Sequence, residues 1–216
     1  MTKKLLGCII LIVESDIHKE LMNMKPFVYS TCRFILYPFV KLIYKPEIIG
    51  KENLISDGGI LLCGNHTSYL DAAILGCATR KDLYYIVKKE LHSGFLKYFF
   101  KYAGTIPVDR KNKNNSSSMD EAVKKLKEKR IVVMFPEGTI NKTDDILMPF
   151  KYGAVSLAKK SNAIVVPFAI TGKFKPFKKG IKLTIGKPFK IKGDLVLENK
   201  ILEKKVENLI KGENND

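Results

Sequence analysis

Several common signatures are missing from this chain, and each absence narrows what it can be. The four cysteines, at 8, 32, 63 and 77, have no metal-ligand spacing and no disulfide-framework pattern. That excludes a cysteine-stapled scaffold and makes a reducing cytosol the default setting. Cys63 and Cys77 lie in apolar runs and read as buried small hydrophobes. No Ser or Cys nucleophile motif occurs, so a covalent acyl-enzyme has no obvious attachment point. Gly186-Lys187 is followed by Pro188 rather than Ser or Thr, which excludes a P-loop. No helix-turn-helix, zinc-finger or RNP pattern appears, so a nucleic-acid binder would have no reading element.

Long apolar runs are scarce as well. Leu5 to Val13 gives nine residues, too few to span a bilayer, and too little sequence precedes Cys8 for a lipoprotein signal. Phe27 to Tyr44 is long enough, but Arg33 and Lys41 interrupt it and Pro38 should break or kink it. With its many aromatic residues, this stretch reads as one or two helices lying in a membrane interface, or as a core helix packed on the domain. Acidic residues are also few: 22 against 38 Lys and Arg, a formal charge of +16. Such a charge calls for a polyanionic partner. Half of it sits between Lys173 and Lys192, where eight lysines and no acid interleave with Phe174, Phe177, Ile181, Ile185 and Phe189. That pattern suits an anionic membrane surface, or a sheet edge guarded by lysines.

What is present is an alternation of strands and helices. Strands are predicted at Glu47–Gly50, Ile60–Cys63, Leu83–Val87, Thr105–Val108, Ile131–Phe135, Ala163–Ile170 and Ile181–Ile185. Helices are predicted from Asp71 to Thr79, Phe95 to Tyr102, after a capping box at Ser118–Glu121, from Ala154 to Lys160 and from Leu195 to Ile210. Pro167 inside a strand argues for an edge or a bulge. The length fits one domain, and the alternation implies an α/β sandwich. The expected division is residues 1–45 as membrane-interface helices and 46–216 as the α/β domain.

The segment Asn65-His66-Thr67-Ser68-Tyr69-Leu70-Asp71 follows one of these strands. An imidazole is the side chain best suited to take a proton near neutral pH, and a carboxylate on the next turn can fix its tautomer. The spacing alone is weak, since Thr67 or Ser68 capping a helix with Asp71 in its first turn gives the same pattern. With no nucleophile alongside, the hydroxyl to be activated would belong to a substrate. Three more segments stand at predicted strand ends or in strands: Gly104 to Arg110, Phe135-Pro136-Glu137-Gly138-Thr139, and Val165-Val166-Pro167-Phe168. Arg110 offers a planar fork for phosphate, with an ion pair to Asp109 or Glu137 as its alternative. Gly138 permits positive φ, and the fourth segment is apolar enough to line a tail-binding wall.

These four blocks, in this order, together with Val87-Lys88-Lys89-Glu90-Leu91, resemble the 1-acylglycerol-3-phosphate acyltransferase family of phospholipid synthesis. The likeness runs from about Phe27 to Phe189. It implies a glycerolphosphate-acyltransferase-like αβ sandwich with a mixed sheet. It implies that His66 is the general base and Asp71 its partner. Lys88 and Arg110 would bind the acceptor phosphate, and Glu137, Gly138 and Thr139 would shape the acceptor site. The family's third block usually continues with Arg, where this chain has Ile140, so Lys142 or Lys151 would have to substitute. The implied reaction moves an acyl group from acyl-CoA or an acyl carrier protein thioester to the 2-hydroxyl of lysophosphatidate, with no bound cofactor and no metal. The expected location is the cytoplasmic face of the cell membrane. Ile140 keeps other acceptors open: glycerol 3-phosphate, another lysophospholipid or a lyso-aminolipid. A non-enzymatic binder of anionic lipid or nucleic acid is the remaining alternative.

Overall fold

The computed structural model describes residues 34, 36–93, 97, 100, 103–109 and 116–213. The expectations for Leu5–Val13, the first part of Phe27–Tyr44, most of Phe95–Tyr102 and Arg110 therefore fall outside the described residues. Helix α1 covers 36–44, strand β1 Glu47–Ile49, β2 Ile60–Gly64, α2 Asp71–Gly76, β3 Leu83–Lys88 and β4 Ile106–Val108. They are followed by α3 Ser116–Lys127, β5 Ile131–Met134, α4 Gly153–Ser161, β6 Ile164–Thr171, β7 Lys182–Ile185, β8 Phe189–Lys190 and α5 Leu195–Lys211.

The strands form one mixed sheet in the order β1-β7-β6-β2-β5-β3-β4, with β8 also on β6. From β6 through β4 every neighbouring pair is parallel, while β7 and β8 run antiparallel to β6. Central strands with apolar side chains on both faces need cover on both sides. That explains the continuous run Ile60–Cys63, all of it buried. The pleat sends Leu61 and Cys63 to one face, against α3, α4 and α5. Ile60 and Leu62 go to the other, with Ile74 and Leu75 of α2 and with Val40 and Tyr44 of α1 packed against that cluster. The α/β sandwich expected from the alternation is the observed architecture.

Three local expectations change. Helix α2 is shorter than Asp71–Thr79, ending at Gly76. Helix α3 begins by Ser116, so Ser118 is already inside it; its hydroxyl donates to the Pro107 carbonyl of β4 instead of capping. Asp120 pairs with Lys160 of α4. Tertiary partners outcompete the local cap. Pro167 sits in a central strand rather than at an edge, and the bulge is on the partner side, where the register slips by one residue between Val165–Phe189 and Phe168–Ile185. Its register partner on the parallel side is Cys63, and its carbonyl accepts from Gly186 N–H at 2.8 Å on the other side. On that second side β8 pairs Ile164 and Val165 while β7 begins at Phe168. The missing amide thus falls in the gap between two partner strands. Pro38 stands in the first turn of α1, where a missing amide costs no bond within 36–44.

Gly64 closes β2 directly before the Asn65–Asp71 segment. A Cβ there would collide with the Phe168 carbonyl, and would come within 2.5 Å of the Phe168 ring. Gly64→Ala should therefore destabilise the protein by about 1–3 kcal/mol, the cost of overpacking a fixed core. Thermal unfolding measures this, and an unchanged midpoint would mean that the β2–β6 spacing is looser than described.

Candidate active site

The site lies beyond the carboxyl ends of β2 and β5. Asn65, the first residue after β2, is buried and pairs with the β6 backbone at both ends of its amide. Its Nδ2 donates to Ile170 O at 2.8 Å, and its Oδ1 accepts from Ile170 N at 2.8 Å. This fixes the chain direction just before His66.

Asp71 is fully buried, and its carboxylate gathers the whole segment. Oδ2 lies 2.8 Å from His66 Nδ1 and accepts from the amides of Thr67 at 2.7 Å and Ser68 at 2.9 Å. Oδ1 accepts from the Thr67 hydroxyl at 3.0 Å. A carboxylate is acceptor-only, so His66 Nδ1 must be the donor. Nε2 is then the lone-pair nitrogen, and among the described residues nothing bonds it. The His66 side chain keeps 21% of its surface exposed. Its ring stacks on Phe135 at 4.1 Å, and Phe135 meets Phe168 edge-on at 5.8 Å. The dyad geometry is present, and Asp71 does stand in the first turn of α2, but neither Thr67 nor Ser68 caps that helix: its N-cap is Leu70, with no side-chain cap bond.

Glu137 is the second buried carboxylate, 2% exposed. Oε1 accepts from His66 N–H at 2.6 Å and Oε2 from Met148 N–H at 2.9 Å. Burial pushes its carboxyl upward, against the pull of these two amides. Each oxygen thus holds a backbone amide, so Glu137 joins the His66 segment to the loop 139–149. The His66 carbonyl also accepts from Asn141 N–H at 2.8 Å. These backbone bonds, and the part played by Asn65, carry no signature in the sequence.

The turn Phe135–Gly138 closes with Gly138 N–H on Phe135 O at 3.0 Å, and Gly138 has φ 77°. Its amide is therefore engaged, while the Thr139 amide has no partner among the described residues. Lys151 Nζ lies 2.8 Å from where a Gly138 Cβ would stand. Bare Gly138 leaves room for that ammonium beside the turn. The Lys151 side chain is exposed, as are Thr139 and Lys142. Lys88 is exposed at the end of β3, in register with Val108 of β4, two residues before Arg110. Asp109 pairs with Lys89 at 3.5 Å, and Glu137 is committed to backbone. Val165, Val166 and Phe168 are buried in the sheet, Val165 on the opposite face, and of the three Phe168 reaches the site, through Phe135. His92 holds Thr105 through Nε2 at 2.7 Å. Burial pushes the Cys63 thiol far up, so it behaves as a packed hydrophobe.

A family model described as Acyltransferase matches residues 45–171, which include every block of this site. The chain belongs to the acyltransferase family. It is 36% identical over 166 residues to the 1-acyl-sn-glycerol-3-phosphate acyltransferase of Bacillus subtilis (strain 168), covering 74% of the chain and 81% of that protein. It is 34% identical over 122 residues to the protein of the same name from Helicobacter pylori, covering 56% of the chain and 52% of that protein. The crystal structure of the 1-acyl-sn-glycerophosphate (LPA) acyltransferase, PlsC, from Thermotoga maritima matches with a TM-score of 0.68 and 21% identity. That match covers 88% of this chain and 82% of the other, and at this identity it speaks to the fold.

Glu137→Gln leaves one acceptor for two backbone donors and turns an NH₂ toward the second. The expected loss is about 1–3 kcal/mol of stability, the cost of an unsatisfied buried donor. Denaturant unfolding reads this directly; a variant as stable as the wild type would show that the two amides find other partners.

Proposed function

We propose that this acyltransferase carries an acyl group from a thioester to the 2-hydroxyl of 1-acylglycerol 3-phosphate, giving phosphatidate. The observation that carries the reading is His66 with Nδ1 held by buried Asp71 and Nε2 free at the site. The names of the relatives supply the acceptor. A base poised in this way needs no enzymic nucleophile.

In the proposed reaction Nε2 takes the proton of the acceptor hydroxyl. The oxygen attacks the thioester carbonyl, and a tetrahedral oxyanion forms. The Thr139 amide, beside the Gly138 turn and without a partner among the described residues, is the backbone donor best suited to meet it. The C–S bond then breaks, and the thiolate leaves with the proton from His66. Asp71 holds the ring in place and stabilises the imidazolium between these steps. Lys151 takes the phosphate role left open by Ile140, with Lys88 and Arg110 completing the clamp. An ammonium is a point charge rather than a planar fork, so this clamp is less selective for phosphate geometry than an Arg-based one. Glu137 shapes the acceptor site by positioning, with Gly138 leaving space for Lys151. The donor is coenzyme A or acyl carrier protein as its thioester, with no bound cofactor.

We further propose that the chain works at the cytoplasmic face of the membrane. No helix among the described residues is long and apolar enough to cross a bilayer. Attachment would come from the interface segment 1–45 and from the basic stretch after β6, leaving 46–216 as the α/β domain.

Purified wild type should form phosphatidate from lysophosphatidate with one or both donors. His66→Ala should lose roughly 10²–10⁴ in rate, the range of general-base catalysis. Folded wild type that makes no phosphatidate with either donor would overturn lysophosphatidate as acceptor. Lys151→Ala should raise the KM for lysophosphatidate about tenfold while leaving the KM for the thioester unchanged, as expected for one charge-assisted contact. An unchanged acceptor KM would move the phosphate site to Lys142 or to Lys88 and Arg110 alone.

A further inference from the structure

Away from the dyad, a groove of about 660 Å³ separates α1 from the carboxyl end of α2. Its walls include Tyr37 and Pro38 of α1, and its cations are Lys41, Lys51 and Arg80; Asp82 is the one acid. None of the three cations has an ion-pair partner among the described residues. Lys41 and Lys51 both lie near enough to Cys77 for their charges to offset part of the upward push that burial gives its thiol. Three cations against one acid leave the groove net positive, which calls for an anion.

The groove's neighbour says which anion. Along α1, Val40 and Tyr44 pack against the core, while Leu36, Phe39 and Leu42 are exposed. At 3.6 residues per turn these three share the face turned away from the domain, and the groove opens on the flank between that face and the core. An exposed apolar face rimmed by cations matches an amphiphile, with chains against the helix and a phosphate in the groove. A soluble polyanion would have no use for that face. The far end of α1 repeats the pattern. Phe177 N–H donates to Ile43 O at 2.6 Å, Tyr44 meets Phe174 edge-on at 5.7 Å, and Phe177 is 71% exposed in a stretch that also holds Lys173, Lys175, Lys178 and Lys179. Bare Gly76 seats α1 here, since a Cβ would strike the Tyr37 ring.

We propose that the groove between α1 and the end of α2 holds the phosphate headgroup of an anionic phospholipid of the bilayer, gripped by Lys41, Lys51 and Arg80. This deepens, and rests on, the membrane attachment proposed above. It adds a discrete headgroup site to diffuse attraction, and it places that site at the opposite end of α2 from the catalytic segment. The six residues of α2 set about 9 Å between the two ends of the helix.

The test is flotation with vesicles of phosphatidylcholine alone and of phosphatidylcholine mixed with phosphatidylglycerol. Wild type is compared with Lys41→Gln/Lys51→Gln/Arg80→Gln and with a charge-matched control, Lys124→Gln/Lys127→Gln/Lys129→Gln on and just after α3. The groove triple should weaken partition onto the anionic vesicles about a hundredfold, about fivefold for each cation removed, and the control little. Single variants should each lose about fivefold, which guards against a triple that fails to fold. Equal losses in both triples would reduce the effect to net charge and overturn the site. Displacement from anionic vesicles by free coenzyme A, in wild type and not in the groove triple, would assign the groove to the thioester carrier and overturn the lipid. Acyl transfer to soluble short-chain lysophosphatidate in detergent is measured in parallel. It should be retained by the groove triple, so failure of the headgroup site and failure of the catalytic reading are distinguishable.

Discussion

The buried carboxylate of Asp71 is the constraint on which the site depends. It accepts from the imidazole, from two backbone amides and from a hydroxyl, all within a seven-residue segment. An isolated charge would be costly at this depth, and four donors are what make it tolerable. The same bonds that satisfy the carboxylate curl the chain from β2 into α2 and aim the His66 ring. Glu137 does for the next segment what Asp71 does for its own. It ties His66 N–H to Met148 N–H and so draws the loop after β5 alongside the base. Two buried acids acting on backbone hold the mouth of the site, while the lysines around it remain exposed.

The sheet explains why residues far apart in sequence meet there. Strands β6, β2, β5, β3 and β4 are parallel neighbours, so their carboxyl ends lie along one edge. His66 follows β2, Glu137 follows β5 and Lys88 ends β3. A parallel sheet places such ends side by side whatever the order of the strands in the chain. The apolar centre of the sheet also reaches the chemistry through a relay of rings, from Phe168 to Phe135 to His66. Packing and base orientation are thus one structure.

Much of this was legible in the chain. The apolar runs Ile60–Cys63 and Ile131–Phe135 could only be buried strands, and the period of Met119, Ala122, Val123 and Leu126 marked α3. The His66–Asp71 pair was legible because its partners are local. What was not legible depends on distant partners. Nothing near Pro167 says that two other strands leave a gap opposite its missing amide. Nothing near Ser118 says that the Pro107 carbonyl will take its hydroxyl. The bonds of Asn65 to Ile170 and of Glu137 to Met148 pair a polar side chain with backbone, and backbone carries no sequence signature. The block containing Glu137 pointed to an acceptor-shaping carboxylate; the structure gives it a positioning task. Lys151 is the reverse case, raised as a substitute for an absent Arg and found with its ammonium beside Gly138.

The central claim is that Asp71 fixes His66 with the proton on Nδ1 and a bare, accessible Nε2. Nitrogen-15 NMR of the histidine ring reads this directly, through long-range couplings from the ring carbon-bound protons, at a pH where the imidazole is neutral. The account predicts for His66 a protonated, strongly hydrogen-bonded Nδ1 and an unprotonated Nε2, with that pattern lost in Asp71→Asn. A proton on Nε2 in the wild type, or a ring exchanging between tautomers as a free imidazole does, would contradict it.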